Sequence, residues 1–330
     1  MNKFFISCDW GTTQLRLRVV RRPDCQIEAE IESADGAAHL AANTTPADRP
    51  ARYCSVLDAA LRRLAARHRQ PLDDLSVVIS GMASSSIGWQ ELPYARLPLA
   101  LDGQGLEWRE LPRPAGFPAA RLVLISGAAT ARDVLRGEET QALGLFRLEQ
   151  FSKASSRALV ILPGTHSKHL RIDAGRIDDF HTFMTGELFE VLASHSILRH
   201  SVAHDSSLDL LATDELLSAF RGGVEQAAEL PLSAALFQVR TRQLLDAQTD
   251  ASNRAFLSGV LVGSELAHLR RSEFSGYPLV LFAAGPLADC YATALETLGI
   301  SERLTVVSGS DFQRLTALGQ AVVLARIADG

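Results

Sequence analysis

Apolar and polar positions along the chain follow the same grammar twice. In residues 4–20, FFISCDWGTTQLRLRVV, an apolar run leads to Asp9; Leu15, Leu17 and Val19 then alternate with Arg16 and Arg18. Two strands joined by a turn fit this pattern, and residues 1–36 read as three strands with turns. Val56, Leu57, Leu61 and Leu64 predict an amphipathic helix over 52–69 with a basic outer face. Buried strands are predicted at 75–79 and 122–125, each running into Ser-Gly. Between them lies a Ser-, Gly- and Pro-rich stretch, 84–118, with a strand-like piece at 95–101. A helix is predicted over 132–148 and a polar linker over 150–157. The grammar then restarts with a strand at 158–162 running into Pro163-Gly164-Thr165, a hairpin of 169–172 and 176–184 around Ala174-Gly175, and a helix over 185–199. Helices at 213–226, 231–247 and 252–271, a strand at 279–282, a helix at 286–298, a strand at 304–307 and a helix at 312–327 complete the chain.

Each half therefore begins with a strand that enters a Gly-Thr turn and leaves by a second strand. DWGTTQLRLRV in the first half and LPGTHSKHLRI in the second form a weak internal repeat. Polar turn residues on a surface hairpin explain either turn taken alone. The pair also suits a phosphate ligand: glycine admits close backbone approach, successive N–H groups face phosphate oxygens, and a carboxylate such as Asp9 can hold Mg²⁺. A third element, LVLFAAGPLADCY over 279–291, is a buried strand, a lone glycine and a helix start. Neither a P-loop nor a strand followed by G-x-G-x-x-G is present.

Composition narrows the classes. A chain of 330 residues suits two domains, and 47% hydrophobic residues can fill two cores. A net charge of −5 argues against a general nucleic-acid binder. Four cysteines, none in C-x-x-C, read as reduced thiols of a cytoplasmic protein. The start does not read as a signal peptide, and no apolar stretch approaches the ~18 residues needed to span a membrane. His200 and His204 have helical ligand spacing and His195 lies near, but without a third ligand at set spacing capping and core hydrogen bonds are favoured over zinc. Gly259 and Gly263, in a helix with Glu265 and His268, read as close helix packing.

Several motifs together carry a resemblance. DWGTT (9–13), GM…GWQELPY (81–94), DVLRGEETQALG (133–144), LPGTHSKH (162–169), FHTFMTGELFEVL (180–192), SILRHS (196–201) and FLSGVLVGSEL (256–266) run along most of the chain. The sequence resembles the 2-dehydro-3-deoxygalactonokinase family of the actin/hexokinase/heat-shock-70 ATPase superfamily. That resemblance implies an α/β fold of two ribonuclease-H-like (actin-like ATPase) domains, 1–148 and 149–330, with ATP-Mg²⁺ in an interdomain cleft.

By the same likeness Asp9 would hold the metal, Gly11, Thr12 and Thr13 would meet the terminal phosphates, and Gly164, Thr165, His166, Ser167 and Lys168 would meet them from the second half. Gly285 and Pro286 would lie near the adenosine. Glu139, then Glu138, are the candidates for the base that takes the sugar hydroxyl proton, with Asp133 and Asp9 as alternatives; acids in a first helical turn are equally explained by the helix dipole.

The sugar acid would be held by Gly81, Ser84, Ser85, Ser86, Trp89 and Glu91, with Thr185, Gly186 and Glu187 at a helix start and Arg132 for its carboxylate. The competing explanations are a Ser-rich loop anchored by Trp89 and an ordinary Thr cap. Many relatives carry Arg where this chain has Ser86, which bears on which sugar acid is preferred. The expected reaction is phosphorylation of 2-dehydro-3-deoxy-D-galactonate at its terminal hydroxyl; another 2-keto-3-deoxy sugar acid, or polyphosphatase-like hydrolysis, are the alternatives. Expected partners are small molecules, without nucleic acid or membrane, and a homodimer is expected only as the commonest assembly of soluble proteins in general.

Overall fold

The computed structural model describes residues 2–22, 24–152, 157–205 and 207–329. They form two compact units, the first comprising 1–156, 172–179 and 313–330, the second 157–171 and 180–312. A single cut after residue 148 would assign the last helix to the second unit; the contacts assign its residues from Gln313 onward to the first.

In the first unit the strand order is Ile27–Ser33, Leu15–Arg21, Phe4–Trp10, Ser76–Gly81, Arg121–Ile125 and Trp108–Glu110. Phe4–Trp10 runs antiparallel to Leu15–Arg21 and parallel to Ser76–Gly81, which is parallel to Arg121–Ile125. In the second sheet Arg157–Leu162 lies between Ser167–Asp173 and Leu279–Phe282, with Arg176–Phe183 and Leu304–Val307 beyond them. Numbering the first five strands of each sheet in chain order, and leaving out the short pieces, both sheets read 3-2-1-4-5, with strands 1, 4 and 5 parallel. That is the ribonuclease-H-like order, so the weak repeat in the sequence is a real structural repeat. The turn of the Ser167–Asp173 hairpin has both central residues left-handed, Ala174 at φ 46° and Gly175 at φ 71°, the geometry that matches strand twist.

Central strands are apolar on both faces because helices cover both. One face of the first sheet, with Ile6, Cys8 and Trp10, packs on the Arg49–His68 helix through Tyr53, Leu57, Leu61 and Leu64. Gln320 of the Gly309–Asp329 helix donates from Nε2 to Cys8 O (3.0 Å) and Ser80 Oγ (2.9 Å). This last helix also crosses the Glu138–Leu145 helix at backbone contact: a Cβ at Gly319 would stand 1.8 Å from Thr140 O, and one at Gly144 2.0 Å from Leu315 O. In the second unit the Asp214–Glu229 and Asp250–Leu266 helices cross in the same way, with a Gly259 Cβ 2.0 Å from Phe220 O. The Gly259/Gly263 pair thus serves close helix packing, as its sequence context indicates. No helix among the described residues is long and apolar enough to cross a membrane.

Several expected elements change. The helix over 132–148 begins only at Glu138. Ahead of it Thr130 Oγ1 accepts from the amides of Arg132 and Asp133 (3.0 and 2.9 Å) and Asp133 Oδ1 from that of Val134 (2.8 Å), so local hydrogen bonds outcompete helix. Val134–Leu135 then pairs with Ala128–Ala129, and Gly137 at φ 111° closes the turn. The helix over 185–199 breaks at Ser196, whose hydroxyl takes the Leu198 amide (3.0 Å) and starts a 3₁₀ turn, Ile197–His200. The helix over 252–271 spans Asp250–Leu266 and ends in a 3₁₀ turn, Ala267–Arg270. Of the linker expected at 150–157, residues 150–152 belong to a short helix, Glu149–Ser152, residue 157 starts a strand, and 153–156 lie outside the described residues.

Candidate active site

In the first unit the candidate chemistry gathers where strands end. Asp9 pairs with Ser80 and Trp10 with Gly81 in parallel register. Gly81 is at φ 91°, and a Cβ there would stand 2.6 Å from Trp10 O; a Cβ on Gly137 would stand 3.4 Å from Gly81 Cα. The 2.6 Å approach at Gly81 and the left-handed backbone of Gly137, at φ 111°, both call for glycine, and together they set the start of the Glu138–Leu145 helix beside the end of the Asp9 strand. The turn itself is shaped by its backbone: Gly11 N donates to Gln14 O (2.8 Å), and Ala37 and Ala38 donate to Gly11 O and Thr12 O (both 3.0 Å). Thr12 and Thr13 are exposed.

Asp9 keeps 22% of its side chain exposed, with Arg16 Nη1 3.9 Å from Oδ2. Burial raises its pKa, and the Arg18 and Arg16 charges oppose the rise. Glu139 is fully buried; Gly137 N donates to both its oxygens (3.0 and 2.8 Å) and Thr140 Oγ1 to Oε1 (3.0 Å). Burial, then the Glu138 charge, push its pKa up to about 7 against those donors. Glu138 is half-buried and accepts from the Arg136 amide (2.9 Å). Asp133, one turn ahead, is half-buried and caps Val134.

The GMASSSIGWQELPY loop is mostly structural in its contacts. Ser84 and Ser85 are buried, their hydroxyls donating to Gly81 O (3.3 Å) and Met82 O (2.7 Å). Trp89 packs with Trp10 and Tyr53, ring centroids 6.1 Å from each. Ser86 and Glu91 are exposed, and the Ser86 carbonyl accepts from Arg49 Nη1 (2.9 Å). Arg132 is exposed on an open groove of about 680 Å³ shared with Tyr94 and Arg96. Arg136, which no sequence argument singled out, ties this loop to the helix start. It donates to Ser84 Oγ (2.9 Å), Tyr94 OH (3.1 Å) and Leu92 O (3.2 Å), also to Ser84 O, and stacks 4.0 Å from the Tyr94 ring centroid.

In the second unit Gly164, Thr165 and His166 are exposed, while Ser167 and Lys168 are buried. Lys168 Nζ donates to Thr182 Oγ1 (2.8 Å), and His166 Nε2 meets Glu187 Oε2. Gly186 packs on the turn: its Cβ would stand 2.6 Å from Gly164 O, and the Glu187 amide donates to Thr165 O (3.0 Å). Gly285, at φ 59°, and Pro286 are exposed at the start of the Gly285–Thr297 helix. An apolar cavity of about 270 Å³ opens against Gly164, Thr185, Gly186, Pro286 and Tyr291.

Behind this cavity lies a buried polar cluster that the sequence reading did not assemble. Glu265 Oε1 accepts from His169 Nε2 (2.9 Å), and Oε2 from Tyr291 OH (2.7 Å) and Thr185 Oγ1. Burial raises the Glu265 pKa, but His169, Thr185 and Tyr291 together bring it below the usual carboxylate range. Burial also raises Tyr291 well above its ordinary value and lowers His268 to about 4. The available signal was one acid in an otherwise apolar run, FLSGVLVGSEL. Among the described residues no cluster of three or more His, Cys, Asp or Glu could hold a metal by itself.

The chain is also similar to known proteins. A family model described as 2-keto-3-deoxy-galactonokinase matches residues 9–317. The chain is 34% identical, over 97% of both chains, to a protein of Rhizobium meliloti (strain 1021) named as a probable 2-dehydro-3-deoxygalactonokinase. It is 28% identical, over 94% of both chains, to the 2-dehydro-3-deoxygalactonokinase of Escherichia coli (strain K12). A crystal structure of a Sinorhizobium meliloti protein assigned to the 2-dehydro-3-deoxygalactonokinases matches with a TM-score of 0.78 at 32% identity, covering 98% of this chain and 99% of that one.

Proposed function

The chain belongs to the 2-keto-3-deoxy-galactonokinase family, a family of sugar-acid kinases, and from that premise we propose that it transfers the γ-phosphoryl group of ATP to the terminal hydroxyl of 2-dehydro-3-deoxy-D-galactonate, giving ADP and the 6-phosphate in sugar-acid catabolism. The observation that carries the reading is the strand-end cluster of the first unit. There a carboxylate suited to a metal–phosphate group, Asp9, stands one residue from the Trp10–Gly81–Gly137 contact that sets the Glu138-Glu139 helix start.

Phosphoryl transfer asks for positioning and charge neutralisation. Asp9 has a partly exposed side chain at a strand end, followed in the chain by exposed Thr12 and Thr13. That donor set fits Mg²⁺, which takes one or two carboxylates plus substrate phosphates and not an all-protein cage. When bound there, the ion neutralises phosphate charge. Gly11, Thr12 and Thr13 in the first unit, and Gly164, Thr165, His166, Ser167 and Lys168 in the second, are the proposed phosphate contacts. The apolar cavity beside Gly164 and Pro286 suits an adenine ring, with Gly285 next to Pro286 in the chain.

The transferred group leaves the ADP oxygen as the sugar oxygen bonds to phosphorus, and the hydroxyl proton passes to a carboxylate. Glu139, held near the working pH, has the proton affinity of a base, and Glu138 is the more open of the two. The sugar acid would be held by Gly81, Ser84, Ser85, Ser86, Trp89, Glu91, Arg132, Thr185, Gly186 and Glu187, several of them through backbone, since their side chains are packed. Four free cysteines accord with a reducing cytoplasm, and a homodimeric assembly completes the proposal.

The test is ADP formation with ATP and Mg²⁺ on 2-dehydro-3-deoxygalactonate, on its gluconate epimer and without sugar. Turnover on the first alone supports the reading. Turnover on the epimer alone changes the substrate, and ADP formation that ignores both sugars overturns the kinase assignment.

A further inference from the structure

We infer that Glu265 is a positioning residue for the Gly164–Lys168 turn, acting through a one-directional chain of hydrogen bonds that runs from Gly164 through Ser167 and Tyr291. The inference deepens the kinase reading and rests on it.

Glu265 is 2% exposed and draws its hydrogen bonds from neutral hydroxyls and an imidazole, not from Lys or Arg. As an ionised carboxylate it can only accept. Tyr291 has one hydroxyl proton, and it goes to Glu265 Oε2 (2.7 Å). The 3.0 Å contact between Ser167 Oγ and Tyr291 OH must then be donated by Ser167. That spends the only Ser167 proton, so its oxygen is left to accept the Gly164 amide at 3.3 Å, and the alternative donation to Gly164 O at 3.5 Å is excluded. One buried charge therefore fixes the sense of every hydrogen bond back to the turn.

The same carboxylate holds Thr185 at the first turn of the Thr185–His195 helix and His169 on the Ser167–Asp173 strand. Gly164, Thr185 and Tyr291 all line the apolar cavity beside Pro286. Glu265 thus stands behind three walls of that cavity without touching its contents.

Glu265→Gln keeps the shape and removes the logic. Its single carbonyl oxygen has two lone pairs for three donors, and when the amide nitrogen faces Tyr291 that hydroxyl turns round. Tyr291 then donates to Ser167 and Ser167 to Gly164 O, so the hydroxyl that only accepted from the turn is redirected onto its carbonyl. Tyr291→Phe cuts the same chain while Glu265 stays charged.

The experiment measures the dissociation constant of ADP by calorimetry and the KM values of both substrates for wild type, Glu265→Gln, Tyr291→Phe and the double variant, with circular dichroism to confirm folding. The expected result is about a tenfold loss of ADP affinity and a matching rise in KM for ATP in each single variant, with KM for the sugar acid unchanged in Tyr291→Phe, which leaves Thr185 on Glu265. The double variant should be no worse than the weaker single variant, because both break one chain. ADP affinity within twofold of wild type in folded Tyr291→Phe, or additive losses in the double variant, overturns the inference; should Glu265→Gln not fold, Tyr291→Phe alone decides. A wild-type protein that binds no ADP overturns the kinase reading and this inference together, whereas binding with unaffected variants overturns this inference alone.

Discussion

Replacing Glu139 by Gln removes a charge from a fully enclosed site and leaves its shape and its acceptor for the Gly137 amide in place. The wild-type carboxyl has its proton affinity raised from an ordinary 4.5 to about 7. Below pH 4.5 folded and unfolded chains both hold the proton and the group costs nothing. Between pH 4.5 and 7 the unfolded chain ionises first, so stability falls as pH rises; above pH 7 the full cost is present. At about 1.4 kcal/mol per tenfold change in proton affinity, that cost is about 3 kcal/mol. Glu139→Gln should therefore melt several degrees above wild type at pH 8, and the difference should close as pH approaches 4.5. The assay is thermal unfolding of both proteins across this range. Equal melting temperatures at pH 8, or a difference that does not change with pH, would refute the reasoning. If Glu139 is also the base, the same variant loses about 10²–10⁴ in kcat, and the wild-type kcat falls below pH ~7 as the carboxyl protonates; Glu138→Gln separates the two acids.

Other consequences follow from close contacts and charge. Gly319→Ala drives a methyl into Thr140 O, where the Cβ would stand at 1.8 Å, and should cost about 1–3 kcal/mol or more by thermal unfolding. Gly222→Ala, in a helix with nothing within 4 Å of its Cβ, should instead stabilise by about 0.5–1 kcal/mol. Asp9→Asn should lower kcat by roughly 10²–10³ and flatten the Mg²⁺ dependence, checked by initial rates across a Mg²⁺ titration. Burial pushes the Cys25 and Cys290 thiols up to about 11 and about 12, and Cys8 well above its ordinary value. In native protein at pH 8 a bulky thiol reagent should thus modify only half-buried Cys54 quickly, the other three reacting on unfolding.

Much of the fold was legible because period and punctuation agreed. The strands at 279–282 and 304–307 match their predicted bounds, and the two Gly-Thr turns mark the first hairpin of each repeat. The helix over 132–148 misled because Val134 and Leu135 have helical spacing to Leu143 and Leu145, while Thr130 and Asp133 capture the intervening amides. The Ala37–Ala42 helix is too short for periodicity to reveal and is fixed instead by its amides bonding to the Gly11–Thr12 carbonyls. Motif residues located the candidate site but not their own exposure. Ser84, Ser85, Trp89, Ser167 and Lys168 look like ligand contacts in the sequence and turn out packed. The side chains that organise them, Arg136 and Glu265, draw their partners from residues 26–96 positions away, which no local pattern encodes.

The central claim is that the γ-phosphoryl group moves from ATP to the terminal hydroxyl of the sugar acid. The most direct measurement is ³¹P and ¹³C NMR of the product formed from ATP and 2-dehydro-3-deoxygalactonate. The account predicts one new phosphate-ester resonance coupled to the terminal carbon, appearing in step with ADP. Inorganic phosphate released at the same rate with and without the sugar acid would contradict it.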